Sequence, residues 1–261
     1  MNKYQPKKRF GQNFIKNKQL LEKIVGFIDI KENDLVIEIG LGQGDLTEAI
    51  LKKNPFYIGY EVDEDLKPFL EKYIEKKVFI NYEDFLKANI KETIKDIDYS
   101  KLYIISNLPY YITTPIINKI INEKLPVHQM LLMMQKEVGD RFTAQPSTRL
   151  YGSITVHLNY YFNISKVLTV GKENFTPKPK VDSVVLLFES KETKESVDQK
   201  TFQSVLKESF QFKRKNIKNN LKKYDLKTIE KILSKHGFSL NSRAEELPLN
   251  IFVEIANNIS K

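Results

Sequence analysis

The sequence predicts an α/β protein: a mostly parallel sheet with helices on both faces, followed by a small all-helical domain. Three observations predict it. Short apolar runs alternate with stretches of helical spacing between Leu35 and Gln135. The first run ends in a glycine-rich turn that leads straight into a helix. After the charged segment SKETKESVDQK the alternation stops, and residues 201–260 keep only helical spacing. The expected boundaries are 1–190 for the α/β domain, with 1–16 as a basic N-terminal arm, and 191–261 for the helical domain.

The elements follow in order. In NKQLLEKIVGFI (17–28), Leu20, Leu21, Ile24, Val25 and Ile28 recur at helical spacing. LVIEIG (35–40) reads as a buried strand. DLTEAILKK (45–53) reads as a helix with Asp45 as N-cap and Glu48 closing a capping box. YIGYEVD (57–63) is the second strand, DEDLKPFLEKY a helix and VFINYED (78–84) the third strand. LYIISN (102–107) is the fourth, followed by the helix TTPIINKIINE with its proline near the start. HQMLLMMQ (128–135) is the fifth strand and leads into KEVGDRF. VLTV and VDSVVLLFE (181–189) read as late strands joined by the loop GKENFTPKPK. KETIKDIDYSK (91–101) is polar but not of low enough complexity to read as disordered.

The charge balance points to a partner. The 261-residue chain carries a net charge of +9, distributed unevenly. Lys3, Lys7, Lys8, Arg9, Lys16 and Lys18 all precede the first acid, Glu22. A second cluster, Lys207 to Lys223, holds Lys213, Arg214, Lys215 and Lys218 against the single acid Glu208, with Phe210 and Phe212 beside it. Cations interleaved with aromatics suit a nucleic-acid partner; lysine-rich solvated helix faces are the alternative. The absence of cysteine excludes disulfides, thiolate metal sites and cysteine nucleophiles, and a cytoplasmic setting is expected. The basic N-terminus lacks the apolar core of a secretory signal, and no apolar run approaches the roughly 20 residues that span a bilayer. His128, His157 and His236 are not at metal-ligand spacing, so no metal is expected.

The chemistry concentrates at the ends of the predicted strands. Gly40, Gly42 and Gly44 follow the first strand as G-x-G-x-G, which lets backbone approach a ligand closely. A dinucleotide fingerprint would place the third glycine one residue later. Glu38, two residues before Gly40, would repel a pyrophosphate and attract a cation. Glu61, 21 positions past Gly40, ends the second strand, where an acid can accept both hydroxyls of a ribose. Acid, glycine loop and ribose acceptor together suit S-adenosylmethionine better than a nicotinamide dinucleotide. Asp84 at the third strand end can accept an adenine amine, with Phe85 against the ring; a helix cap is the plainer reading of that acid.

Asn107-Leu108-Pro109-Tyr110 closes the fourth strand. An adenine amine is a poor nucleophile because its lone pair is delocalised into the ring. It needs two acceptors for its N–H bonds, so that the lone pair turns toward a methyl donor. The Asn107 side-chain oxygen and the Leu108 carbonyl, exposed by the bend at Pro109, can be those acceptors. The Tyr110 ring can stack on the base, and Phe175, at the tip of ENFTPKPKVDS, can supply a second stacking face or serve as a buried anchor. A base inside a duplex cannot reach such a site, so the target must be flipped out or lie in a loop.

These motifs carry a resemblance. KRFGQNF, EIGLGQG, NLPYYITTP, QKEVGDR, YGSITV, FTPKPKVDS, FKRKNIKNNL and RAEEL occur in this order, and from about Lys8 to Leu247 the chain resembles the ribosomal RNA adenine dimethyltransferase family. Within it the bacterial small-subunit (16S) branch matches best, through YGSITV, FKRKNIKNNL and RAEEL. The resemblance implies a Rossmann-like class I methyltransferase sheet and the use of S-adenosylmethionine to dimethylate the N6 amines of two adjacent adenines. It places them in a hairpin loop near the 3′ end of small-subunit rRNA, late in subunit assembly. It adds Asn13 and Ile15 to the cofactor contacts, alongside Gly40, Glu61, Asp84 and Asn107, with the Gln12-Asn13 backbone over the methionine end. Lys8, Arg9, Lys213, Arg214, Lys215 and Lys218 are the expected RNA contacts of a monomeric, membrane-free enzyme whose partner is the small ribosomal subunit. The family commonly has N-L-P-Y-N-I-S-T; here Tyr111 and Thr113 depart from it. Two rivals remain open at this point: the sister enzyme of large-subunit (23S) rRNA associated with macrolide resistance, and a non-catalytic ribosome assembly factor on the same fold.

Overall fold

In the computed structural model, residues 4–7, 11–109, 112–192 and 195–259 are described. The apolar runs form strands: β1 (Phe14–Ile15), β2 (Leu35–Ile39), β3 (Phe56–Tyr60), β4 (Val78–Asn81), β5 (Leu102–Asn107), β6 (Val127–Gln135), β7 (Phe162–Val170), β8 (Phe175–Thr176) and β9 (Ser183–Ser190). Among the described residues, seven strands make one sheet in the order β4-β3-β2-β5-β6-β9-β7. The five from β4 to β6 are parallel, and β9 pairs antiparallel with β6. Every residue of β2 is buried, as expected of a central parallel strand covered on both faces. The strand order reverses between β2 and β5, so a crevice opens at the carboxyl ends of these neighbours, where open α/β sheets bind ligands.

The helices between these strands are α1 (Lys18–Val25), α2 (Asp45–Leu51), α3 (Lys67–Leu70), α4 (Ile90–Ile94), α5 (Thr113–Asn122) and α6 (Lys136–Phe142). Asn17 caps α1 by accepting from the Leu20 amide at 3.1 Å. In α5, Pro115 sits in the first turn, where a missing N–H costs nothing, and Ile116, Ile117, Ile120 and Ile121 turn inward. Two expectations are corrected. The helix predicted over DEDLKPFLEKY is broken into a 3₁₀ turn at Glu64–Leu66, the four-residue α3 and a second 3₁₀ turn at Glu71–Tyr73. Pro68 cannot donate back to Glu64, so no regular helix runs through the segment. The N-cap of α2 is Gly44, at φ 84°, rather than Asp45, which is the first helical residue and makes no capping bond.

The remaining helices are α7 (Ser153–Tyr161), α8 (Gln199–Ser209), α9 (Ile217–Asn220), α10 (Leu226–Lys235) and α11 (Leu249–Asn258). The chain divides into two compact units. One runs to Gly139 and takes in Ser165–Ser190; the other holds Asp140–Ile164 and the segment from Lys191 onward. The expected single break near residue 190 thus differs from the observed grouping, in which α7 belongs with the later helices. The cause is packing: Tyr151, Val156 and Tyr160 share an apolar core with Phe202, Leu206 and Phe252. Among the described residues no helix is long and apolar enough to cross a membrane.

Candidate active site

The crevice at the ends of β2, β3 and β5 is a cavity of about 1050 Å³, counting the space at its open mouth. It lies wholly within the sheet-bearing unit. Its walls include Asn13 and Ile15, Glu38, Gly40 and Gly42, Glu61, Asp84 and Phe85, and Asn107 and Leu108. Residues predicted from five separate stretches therefore meet in one place.

The glycine loop is shaped by its neighbours. Gly40 donates its amide to the Tyr60 carbonyl at 2.8 Å, which ties the loop to the end of β3. Gly42 has φ 59°, and a Cβ there would lie 2.7 Å from the Phe14 ring. Both the backbone conformation and the ring exclude a side chain. The Gly42 amide donates to Glu61 Oε2 at 2.9 Å, and the Asp63 amide donates to Glu61 Oε1 at 2.9 Å. The Glu61 carboxylate is thus held by two backbone donors at the carboxyl end of β3. Burial raises its pKa, and these amides oppose the rise.

Glu38 is fully buried on β2. Its Oε2 accepts from the Thr47 hydroxyl at 2.9 Å and the Tyr57 hydroxyl at 2.6 Å, while Oε1 is buried with no hydrogen-bond partner. Burial pushes its carboxyl up to about 8, against the two hydroxyl donors. At neutral pH it is largely a neutral acid, and a cation beside Oε1 would favour the carboxylate. Thr47 and Tyr57 were missed by sequence reasoning. The signal available was a tyrosine inside an otherwise buried strand, whose hydroxyl must find a partner.

Asp84 lies at the rim beyond β4, and its Oδ1 accepts the Leu86 amide at 2.9 Å, so it also acts as a local cap. Phe85 is buried and meets Tyr60 edge-on, with ring centroids 5.4 Å apart. Asn107 ends β5 and donates its Nδ2 to the Asn13 carbonyl at 3.0 Å. That bond fixes the amide orientation, because a carbonyl must face the NH₂ end. The Leu108 amide bonds the Met133 carbonyl at 3.1 Å, which anchors the turn to β6.

Other expected residues stand apart. Phe175 is 3% exposed and does not line the cavity. It pairs with Ile15 between β8 and β1 and belongs to the apolar core, as in the buried-anchor reading of this residue. Lys213, Arg214, Lys215 and Lys218 are exposed and belong to the helical unit. Tyr110, Tyr111, Lys8 and Arg9 lie outside the described residues. Among the described residues no group of three or more histidine or acidic side chains could hold a metal ion.

Known proteins resemble the whole chain. A family profile described as ribosomal RNA adenine dimethylase matches residues 3–261. A Mycoplasma mobile protein named ribosomal RNA small subunit methyltransferase A is 40% identical over 248 residues, covering 94% of this chain and 95% of its own. A protein of the same name from Phytoplasma australiense is 42% identical, with 97% and 91% covered. Among solved structures, a dimethyladenosine transferase from Plasmodium falciparum superposes with a TM-score of 0.76 at 24% identity, covering 93% of this chain and 95% of its own. The 23S rRNA methyltransferase ErmE superposes with a TM-score of 0.72 at 19% identity, with 93% and 97% covered. The two solved structures share the fold; the match over nearly the full length establishes the lineage, and the chain belongs to the ribosomal RNA adenine dimethylase family of methyltransferases.

Proposed function

We propose that the protein dimethylates the N6 amines of two adjacent adenines in the 3′-terminal hairpin loop of small-subunit (16S) rRNA, late in subunit assembly, with S-adenosylmethionine as methyl donor. The carrying observation is that Asn107, the last residue of β5, and Leu108 just after it line the same cavity as Glu61 and the glycine loop. The amine-positioning groups and the cofactor groups thus share one enclosed space.

The cavity suits that cofactor. Glu38 Oε1, buried without a partner, is matched by the cationic methionine end. Glu61, held by two amides, suits a ribose diol, and Asp84 with Phe85 suits an adenine. When bound, S-adenosylmethionine supplies an activated sulfonium methyl. The chain's own part is placement. Asn107 presents Oδ1, because Nδ2 is engaged by Asn13. Oδ1 and the Leu108 carbonyl would accept hydrogen bonds from the amine N–H groups, so that the nitrogen lone pair faces the methyl donor, and the amine would lose a proton to solvent as it takes the methyl. Tyr110 stacks on the base. Exposed Lys213, Arg214, Lys215 and Lys218, with Lys8 and Arg9, hold rRNA phosphates, so affinity falls with salt while loop geometry selects the target. The enzyme works as a cytoplasmic monomer.

The names of the relatives at 40% and 42% identity support the small subunit over the large one. Glu38, Glu61 and Asn107 are all present in the cavity, which supports catalysis over a purely assembly role. The test supplies labelled S-adenosylmethionine to undermethylated small and large subunits side by side. Dimethyladenosine in small-subunit RNA alone is expected. Label in large-subunit RNA, or binding without any label, would overturn the proposal.

A further inference from the structure

The N-terminal arm is fastened beside the cavity by a carboxylate to which neither the glycine loop nor the N-L-P-Y turn assigns a role. Asp63, just past β3, is 2% exposed. Its Oδ1 lies 2.6 Å from Lys7 Nζ, and Oδ2 accepts from Gln12 Nε2 at 3.1 Å. The Tyr4 hydroxyl lies 2.6 Å from both Asp63 Oδ2 and Gln12 Oε1, and its single proton serves one acceptor at a time. The Lys7 amide completes the arrangement by donating to Gln12 Oε1 at 2.8 Å. Burial works to raise the Asp63 pKa, but donation from Lys7, Tyr4 and Gln12 outweighs it and holds the carboxyl below its ordinary range. The acceptor therefore stays ionised.

What the latch holds matters for the cavity. The Tyr4 ring meets Phe14 edge-on, 6.0 Å between centroids, and Phe14 covers Gly42. Gln12 and Asn13 form part of the cavity wall. At the same time the Asp63 backbone amide fixes Glu61 Oε1, whose partner oxygen takes the Gly42 amide. One residue thus joins the arm to the ribose acceptor and the glycine loop.

We propose that Asp63 is a positioning residue for cofactor binding: through Lys7, Tyr4 and Gln12 it latches the arm over the glycine loop, and through its amide it aligns Glu61. This rests on the reading of the cavity as the S-adenosylmethionine site. The arm keeps other holds, the Asn13–Asn107 bond and the pairing of β1 with β8, so losing the latch loosens one wall without unfolding the unit.

The experiment titrates S-adenosylmethionine into the full-length protein by calorimetry and measures kcat on undermethylated small subunits. The variants are Tyr4→Phe, Lys7→Ala and Lys7→Arg, which spare the buried carboxylate. Lys67→Ala, which removes a surface ion pair with Glu64 outside the cavity, is the control. Tyr4→Phe and Lys7→Ala should each raise the cofactor Kd about five- to tenfold, as for loss of a charge-assisted hydrogen bond to Asp63; Lys7→Ala also removes the exposed bond of Lys7 to Asp65. Their kcat at saturating cofactor should hold, Lys7→Arg should restore binding, and Lys67→Ala should match wild type. Unchanged Kd in Tyr4→Phe and Lys7→Ala, even with a lowered melting temperature, overturns the latch, as does a fall in kcat with Kd intact. Failure of the wild-type protein to bind S-adenosylmethionine overturns instead the reading of the cavity.

Discussion

At the residue scale, Glu38 makes the sharpest prediction. Its folded pKa of about 8 lies above the ordinary 4.5, so between these values the folded chain holds a proton that the unfolded chain has released. Stability is then full below about pH 4.5 and falls as pH rises through about 8. Glu38→Gln keeps an acceptor for Thr47 and Tyr57 and resembles the protonated acid, so it should flatten this dependence. Denaturant unfolding at pH 5.5, 7 and 8.5 checks it; equal slopes for both proteins would remove Glu38 as the source. Asn107→Ala should abolish methylation with cofactor affinity within about threefold, since it removes an acceptor for the target amine and one tie to the arm. Single-turnover assays and calorimetry separate the two effects, and a fully active variant would sink the amine-positioning argument. Both side chains were legible in the sequence because each interrupts or ends a recognisable apolar run, Glu38 inside LVIEI and Asn107 at the end of LYIISN. Their partners were not, because Thr47, Tyr57 and Asn13 reach them only through the packing of other elements.

At the element scale, the turn between β2 and α2 shows how far local pattern carries. The G-x-G-x-G spacing predicts close backbone approach, and the structure supplies the reason at two positions. A Cβ on Gly42 would strike Phe14, and one on Gly44 would lie 2.5 Å from the Tyr73 ring. Gly42→Ala should cost about 1–3 kcal/mol through its left-handed backbone and should weaken S-adenosylmethionine binding by displacing Phe14. Unfolding curves and titration check it; a neutral effect on both would mean that the loop relaxes freely. The capping box expected at Asp45 and Glu48 failed for a related reason. Asp45 and Glu48 bond Lys16 and Lys18 of the arm and α1, and Gly44 takes the cap position with φ 84°. A local motif lost to partners brought by the tertiary fold. Of the two roles open to Phe175, the structure shows the buried anchor, its ring in the core beside Ile15.

At the scale of the whole molecule, the cavity and the second basic cluster belong to different compact units. The cavity belongs to the sheet unit, and the exposed cations at 213–215 belong to the helical unit, in the turn between α8 and α9. Buried Asn220 braces that turn by donating to the Ser209 carbonyl at 2.7 Å. Lys213, Arg214 and Lys215 replaced together by alanine should weaken small-subunit binding and reduce the slope of log affinity against log salt by about 2, for three phosphate contacts. Cofactor affinity should stay at the wild-type value. Filter binding across a salt series checks this; unchanged subunit binding, or a collapse of cofactor affinity, would overturn it.

By itself the sequence determined the alternation of strands and helices, the glycine loop, the strand-end acids, the N-L-P-Y turn and the uneven charge. These are local: each is written in period, spacing or composition within about 15 residues. The tertiary structure decided which of these groups meet. It placed Thr47 and Tyr57 on Glu38, gathered Tyr4, Lys7 and Gln12 on Asp63, sank Phe175 into the core and grouped residues 140–164 with the later helices. The reason is that buried polar groups and apolar rings take partners across the sheet order, at sequence separations that no local period encodes.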